Sequence, residues 1–261
     1  MSGAALLAGK KGVVVGVSSP NSIGHACARR LVDLGAEVVI THRRGAEEGD
    51  ALAASSGAVR HVTLDVTDDR SIAEAFDQAA SALGPFDFVV HSVMGVPDGV
   101  LSNPLVDVSR GDFAKVLDVG AYSLIAVARA ATPLLKSSGA GRIVTISSCG
   151  AASMTPGYHV AGIAKAALEA AAMYLAYELG KDNILCNVVS PGLVGTDGAL
   201  RAVGSKNAEA TRAIFEKKAP TRKAVELEDI ADAVAWLVSP MARNVTAEVI
   251  TLDGGYSRLY F

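Results

Sequence analysis

Short runs of apolar, β-branched residues alternate along this chain with longer stretches of helical pattern, and that alternation leaves few folds open to it. Residues 12–17, 37–41, 59–64, 86–91, 142–146, 184–189 and 248–252 read as strands. Residues 22–34, 47–55, 71–83, 113–135, 163–179 and 228–238 read as helices. The strands are apolar throughout rather than at alternate positions, so both their faces need cover. This order predicts an α/β fold: a Rossmann-type, doubly wound parallel sheet with helices on both faces. The sequence of 261 residues has no internal repeat, low-complexity tract or Pro/Ser-rich linker, which suits a single domain over 1–261.

Charge and cysteine usage remove several function classes. A formal net charge of −3 offers no electrostatic footprint for nucleic acid. Cys27, Cys149 and Cys186 are far apart and form no zinc-type cluster with histidine, so they read as reduced thiols in a cytoplasmic protein without a bound metal. There is no run of about 18 apolar residues, so no membrane span is expected. The first residues lack the basic region and apolar run of a signal peptide.

In an open α/β sheet, ligands bind at the carboxyl ends of the strands, so those ends carry the functional reading. The first strand runs into Gly16-Val-Ser-Ser-Pro-Asn-Ser-Ile-Gly24 and then a helix. Glycines there let backbone approach a pyrophosphate whose charge sits at the helix N-terminus, although the spacing is not Gly-x-Gly-x-x-Gly. After the second strand stand Arg43 and Arg44, where NAD-binding folds usually carry an acidic residue. Two guanidinium groups suit a 2′-phosphate, so the expected cofactor is NADPH rather than NADH. Asp65 is positioned to receive the adenine amino group and Val66 to pack on the ring. His91 ends the fourth strand and reads as structural. Ser147 and Ser148 follow the fifth strand, where either could hydrogen-bond a substrate carbonyl. Pro191 and Gly192 break the sixth strand into a turn. The stretch 196–220 has the composition of a substrate lid, with Val203, Ile214 and Phe215 as candidate pocket residues. No Gly-x-Ser-x-Gly elbow supports a hydrolase.

Tyr158 and Lys165 are seven apart, nearly two helical turns, and share a face if the helix reaches back to Tyr158. An ammonium beside a phenol would lower its pKa and make it a better acid.

With these motifs the chain resembles the short-chain dehydrogenase/reductase family over nearly its whole length, and more closely the type I enoyl-acyl-carrier-protein reductases. Three features carry the closer likeness: the Gly16–Gly24 loop with Ser22 and Ile23, the His91-Ser92-Val93 strand end, and Tyr158 placed six intervening residues before Lys165. Ordinary family members place the tyrosine four before the lysine, where this chain has Ala161. Asp118, Tyr122 and Ser123 also resemble that subfamily. Many enoyl reductases carry a second tyrosine ten before the first; here that position is Ser148, a departure that bears on the substrate pocket. The resemblance implies cofactor contacts from Gly16, Ser18, Ser22, Ile23, Arg43, Arg44, Asp65, Val66, Ser92, Val93, Lys165, Pro191, Gly192, Val194 and Thr196.

The reaction so implied is NADPH-dependent reduction of the carbon–carbon double bond of an enoyl thioester. Tyr158 would stabilise the enolate oxygen, Lys165 would hold the nicotinamide ribose, and Ser147 or Ser148 would position the acyl group. The carrier is left open between acyl carrier protein and coenzyme A. The competing readings are an NADPH ketoreductase, disfavoured by Ala161, and a nucleotide-binding regulator without chemistry. The helix 163–179 carries only Lys165, Glu169 and Glu178 as charges, so it needs burial on more than one side and predicts a homo-oligomer. The resemblance implies a tetramer.

Overall fold

The first strand, β1 (Lys11–Val15), becomes an inner strand of a parallel sheet because Val13, Val14 and Val15 are buried on both faces. This computed structural model describes residues 5–198 and 205–259. The remaining strands are β2 (Glu37–His42), β3 (Arg60–Thr63), β4 (Phe88–His91), β5 (Arg142–Ile146), β6 (Leu185–Pro191) and β7 (Val249–Leu252). They lie in the order β3-β2-β1-β4-β5-β6-β7, every neighbouring pair parallel. The order reverses between β1 and β4, and a crevice opens beyond their carboxyl ends at such a reversal.

Each face of the sheet has its own core. Helices α1 (Ile23–Asp33), α2 (Ala46–Ser56) and α8 (Leu227–Val238) cover one, burying Leu31, Leu52 and Ile230 against Val14, Ile40 and Val144. Helices α3 (Asp69–Leu83), α5 (Ser123–Ser138) and α6 (His159–Leu179) cover the other, burying Phe76, Leu124 and Leu168 against Val13, Val89 and Ile143. Burial of a leucine- or phenylalanine-sized side chain contributes about 1.5–3 kcal/mol, so these two layers dominate the fold's stability. Helix α7 (Ser205–Lys218) follows β6. The result is the expected Rossmann-type sheet.

Two helix boundaries differ notably from the sequence reading. The single long helix 113–135 is α4 (Arg110–Leu117), a π turn (Asp118–Tyr122) and α5. Helix α6 begins at His159 rather than 163. Gly162 therefore lies in the helix's first turn. A Cβ there would fall 2.5 Å from the Gly150 carbonyl oxygen, so the glycine serves close approach. By length and composition, α6 with its extension (His159–Asp182) is long and apolar enough to cross a membrane. Here it packs along β6 and the sheet face, with Lys165 buried and hydrogen-bonded, as an apolar core helix does.

Candidate active site

The first turn is built by shape. Gly16 has φ +93°, and a Cβ on it would lie 2.3 Å from the Ser92 carbonyl oxygen. Only glycine therefore lets the ends of β1 and β4 meet. Its N–H donates to Thr41 Oγ1 (3.2 Å). Ser22 caps α1 by accepting from the His25 N–H (3.3 Å), and Ile23 is the helix's first residue. Ser18 is exposed in the loop between them, beside Ser19, whose hydroxyl is buried without a partner. An unpartnered hydroxyl beside a helix N-terminus suits a bound pyrophosphate. The loop thus fits a dinucleotide.

Past β2, the two arginines are exposed and already answered by acids. Arg44 donates to Glu48 Oε1 (3.3 Å), and Arg43 sits close enough to Asp65 to help hold that carboxyl below its usual range. The larger cause of the Asp65 shift is its hydrogen bond from the Thr67 N–H. Val66, partly buried, packs on the α3–α5–α6 core. Ser92 and Val93 follow β4, half-buried along the crevice.

His91 is fully buried between Ser123 Oγ (2.9 Å from Nε2) and Thr145 Oγ1 (3.0 Å from Nδ1). The Ser123 hydroxyl donates to the Val119 carbonyl (2.7 Å), so it accepts the Nε2 proton. Burial and then the Lys165 charge push the imidazole down to about 3, so it is neutral and structural.

Tyr158 lies just outside α6 as its N-cap residue, with φ −124° and ψ 7°. Its half-buried ring lies against the 149–151 turn, where a Cβ on Gly150 would come 2.5 Å from Cδ1. Its hydroxyl bonds the Ser148 side chain. The expectation that Lys165 lowers this phenol's pKa is corrected: burial pushes it up, and only the Ser148 bond pulls it down. The lysine is turned elsewhere. Lys165 Nζ donates to the carbonyls of Ile146 (2.8 Å) and Val93 (3.0 Å), tying the ends of β5 and β4 to α6. Burial lowers its ammonium to about 8, against an opposing pull from Glu169.

Ser147 and Ser148 separate. Ser148 stays with Tyr158, whereas Ser147 is buried and its hydroxyl donates to Glu169 Oε1 (2.5 Å). That carboxylate was missed, because a lone glutamate in an alanine-rich helix reads as a solvated charge.

Pro191 and Gly192 are buried at the end of β6, with Val194 buried and Thr196 half-buried beyond. Of the lid residues, Phe215 is buried and stacks on Tyr256 at 4.2 Å between centroids, while Ile214 is exposed. Val203 lies outside the described residues. No group of three or more His, Cys, Asp or Glu suited to a metal occurs among the described residues.

The sequence profile of the family described as Enoyl-(Acyl carrier protein) reductase matches residues 16–257. The chain is 35% identical over 253 residues to the Enoyl-[acyl-carrier-protein] reductase [NADH] 1 of Rhizobium meliloti, covering 96% of this chain and 91% of that one. An enoyl-(acyl-carrier-protein) reductase from Anaplasma phagocytophilum, solved in complex with NAD, superposes with TM-score 0.91 at 33% identity, covering 100% of this chain and 96% of that one. A Bacillus cereus relative, solved with NADP+ and indole naphthyridinone, gives 0.92 at 33%, covering 98% and 99%. The NADPH expectation is overturned here. The similar curated proteins, matched over nearly their whole lengths, are named as NADH enzymes. The physical reason is that the arginine pair was read without its counter-charges, Glu48 and Asp65, which leave less of its positive field for a 2′-phosphate.

Proposed function

The chain belongs to the enoyl-(acyl carrier protein) reductase family, and on that premise we propose that it reduces the double bond of an enoyl thioester carried on acyl carrier protein, with NADH as reductant. The observation that carries this reading is the half-buried Tyr158–Ser148 hydroxyl pair beside the crevice that Lys165 also borders. A bound nicotinamide would supply hydride to the β-carbon. Negative charge then grows on the thioester oxygen, where the Tyr158 hydroxyl donates a hydrogen bond to it, and a proton drawn from water adds at the α-carbon to complete the saturated thioester. Ser148 orients that hydroxyl. Lys165 would hold the cofactor's ribose from its place between the ends of β4 and β5. Gly16, Ser18, Ser22 and Ile23 bind the pyrophosphate, with Asp65 and Val66 at the adenine. Ser92, Val93, Pro191, Gly192, Val194 and Thr196 line the nicotinamide end. Helix α7 (Ser205–Lys218) would lie over the substrate as part of a lid, anchored through Phe215. The protein works in the cytoplasm, a setting its unpaired cysteines favour.

The test is NADH and NADPH oxidation at 340 nm with crotonyl and acetoacetyl thioesters. The expected result is turnover of the enoyl substrate, at least ~10-fold faster in kcat/KM with NADH. Turnover of the keto substrate alone would move the protein to the carbonyl reductases.

The same reading includes a homotetramer. Helix α6 presents Met173, Tyr174 and Tyr177 outward, the last 86% exposed, which is a large apolar area for one helix of a free chain. Light scattering should give about four times the 26.7 kDa chain mass. Tyr177→Glu, which sets a charge into that face, should shift it to smaller species. A wild-type monomer at micromolar concentration would refute the assembly.

A further inference from the structure

Glu169 stands on the side of α6 that faces β5 and β6 and has no part in the proposed mechanism. It lies one helical turn past Lys165. Its Oε1 accepts from Ser147 Oγ at 2.5 Å and from Ser190 Oγ at 3.4 Å. Ser147 directly follows β5, and Ser190 lies in β6 one residue before Pro191. One carboxylate therefore joins α6 to both strand ends that carry the proposed chemistry, Ser148 on one side and Pro191–Gly192 on the other. It also borders a cavity of about 50 Å³, lined in part by Cys149, Ser153, Thr251 and Ser257, which is large enough for water. A charge-assisted bond of this length outweighs a neutral one about twofold, so the joint is stiff.

We propose that Glu169 is a positioning residue for the reductase reaction: it fixes the ends of β5 and β6 against α6 and serves as counter-charge to the Lys165 ammonium. This rests on the function proposed above. Lys165 meets groups from each neighbouring element. From β4 comes His91, which is neutral; the Ile146 and Val93 partners are uncharged carbonyls; from α6 itself comes Glu169. Glu169 thus supplies the negative charge that keeps Lys165 protonated in a buried place. Removing it should move the loss of the ammonium to lower pH.

Glu169→Gln keeps an acceptor for Ser147 and removes only the charge. NADH affinity of the full-length protein, read by fluorescence titration between pH 6 and 9.5, should weaken on the alkaline side as Lys165 deprotonates. In E169Q that limb should shift down by about 1 pH unit. At pH 8 the variant should bind NADH several-fold more weakly than wild type, and at pH 6.5 about equally. Ser147→Ala leaves the charge in place, so its limb should stay at the wild-type pH while kcat falls as the strand ends loosen. An E169Q limb that superposes on wild type would overturn the proposal, as would an S147A limb shifted as far as that of E169Q. If E169Q proves too unstable to titrate, the S147A pair of readings decides alone. Wild-type protein that binds NADH with this pH limb yet reduces no enoyl thioester would refute the substrate reading and leave the positioning role standing; no NADH binding at all would refute both.

Discussion

Replacing Tyr158 with Phe is expected to lower enoyl-thioester turnover by roughly 10²–10³-fold, the usual loss when one oxyanion donor is removed. The substitution deletes a single hydroxyl and keeps the ring, which fills the slot against Gly150. The Ser148 side chain keeps a second partner, the Gly150 N–H at 3.2 Å, so little of the turn should move. NADH affinity should accordingly stay within about twofold, because the Lys165 bonds to Ile146 and Val93 do not involve the phenol. Stopped assays at saturating NADH, paired with a cofactor titration, separate these effects. A variant with wild-type turnover would show that Tyr158 is not the enolate's donor.

The direction of the Tyr158 shift adds a pH signature. Burial favours the neutral phenol, so Tyr158 stays a donor throughout the neutral range. The buried Lys165 ammonium, lowered to about 8, is the nearer group to titrate. A cation lost as pH rises through that value gives an alkaline limb near 8, with full function below it. The limb therefore reports the lysine, and Tyr158→Phe should lower the profile without moving it.

The sheet was legible because apolar strands buried on both faces leave a plain pattern, and β5 was placed to the residue. So was the family likeness, through the six-residue spacing between Tyr158 and Lys165. What misled was charge taken without its partners. Arg43 and Arg44 spoke for a phosphate only until Glu48 and Asp65 stood beside them. Those neighbours come from a helix and from the segment after a different strand, which one strand end does not reveal. Tyr158 and Lys165 likewise suggested a coupled pair, whereas the fold spends the ammonium on two main-chain carbonyls. Ser147 and Ser148 are indistinguishable in sequence, yet alternation along an extended backbone sends them to opposite sides, one to Glu169 and one to Tyr158. The π turn at Asp118–Tyr122 had no signal, since its residues suit an ordinary helix.

Gly16 carries the second large effect, and it acts on stability and cofactor binding together. At φ +93° an alanine is strained by about 1–3 kcal/mol before any contact is considered. Its Cβ would also stand 2.3 Å from the Ser92 carbonyl oxygen and 2.9 Å from the Ser92 carbonyl carbon. Both belong to rigid backbone, held by the Ser92 N–H to Val15 carbonyl bond of 2.9 Å. Relief requires the carboxyl ends of β1 and β4 to part, which opens the crevice where the dinucleotide is proposed to sit. At roughly 2–4 °C per kcal/mol for a chain of this size, Gly16→Ala should lower the melting temperature by about 10 °C or more. NADH binding should be lost even where the variant remains folded, because the pyrophosphate loop hangs on that turn. Gly45→Ala is the matched control: Gly45 has φ −53° and nothing within 4 Å of its Cβ position. It should melt within a few degrees of wild type and bind NADH normally. Equal losses in the two variants would mean that helix and loop flexibility, rather than the β1–β4 approach, sets the need for glycine.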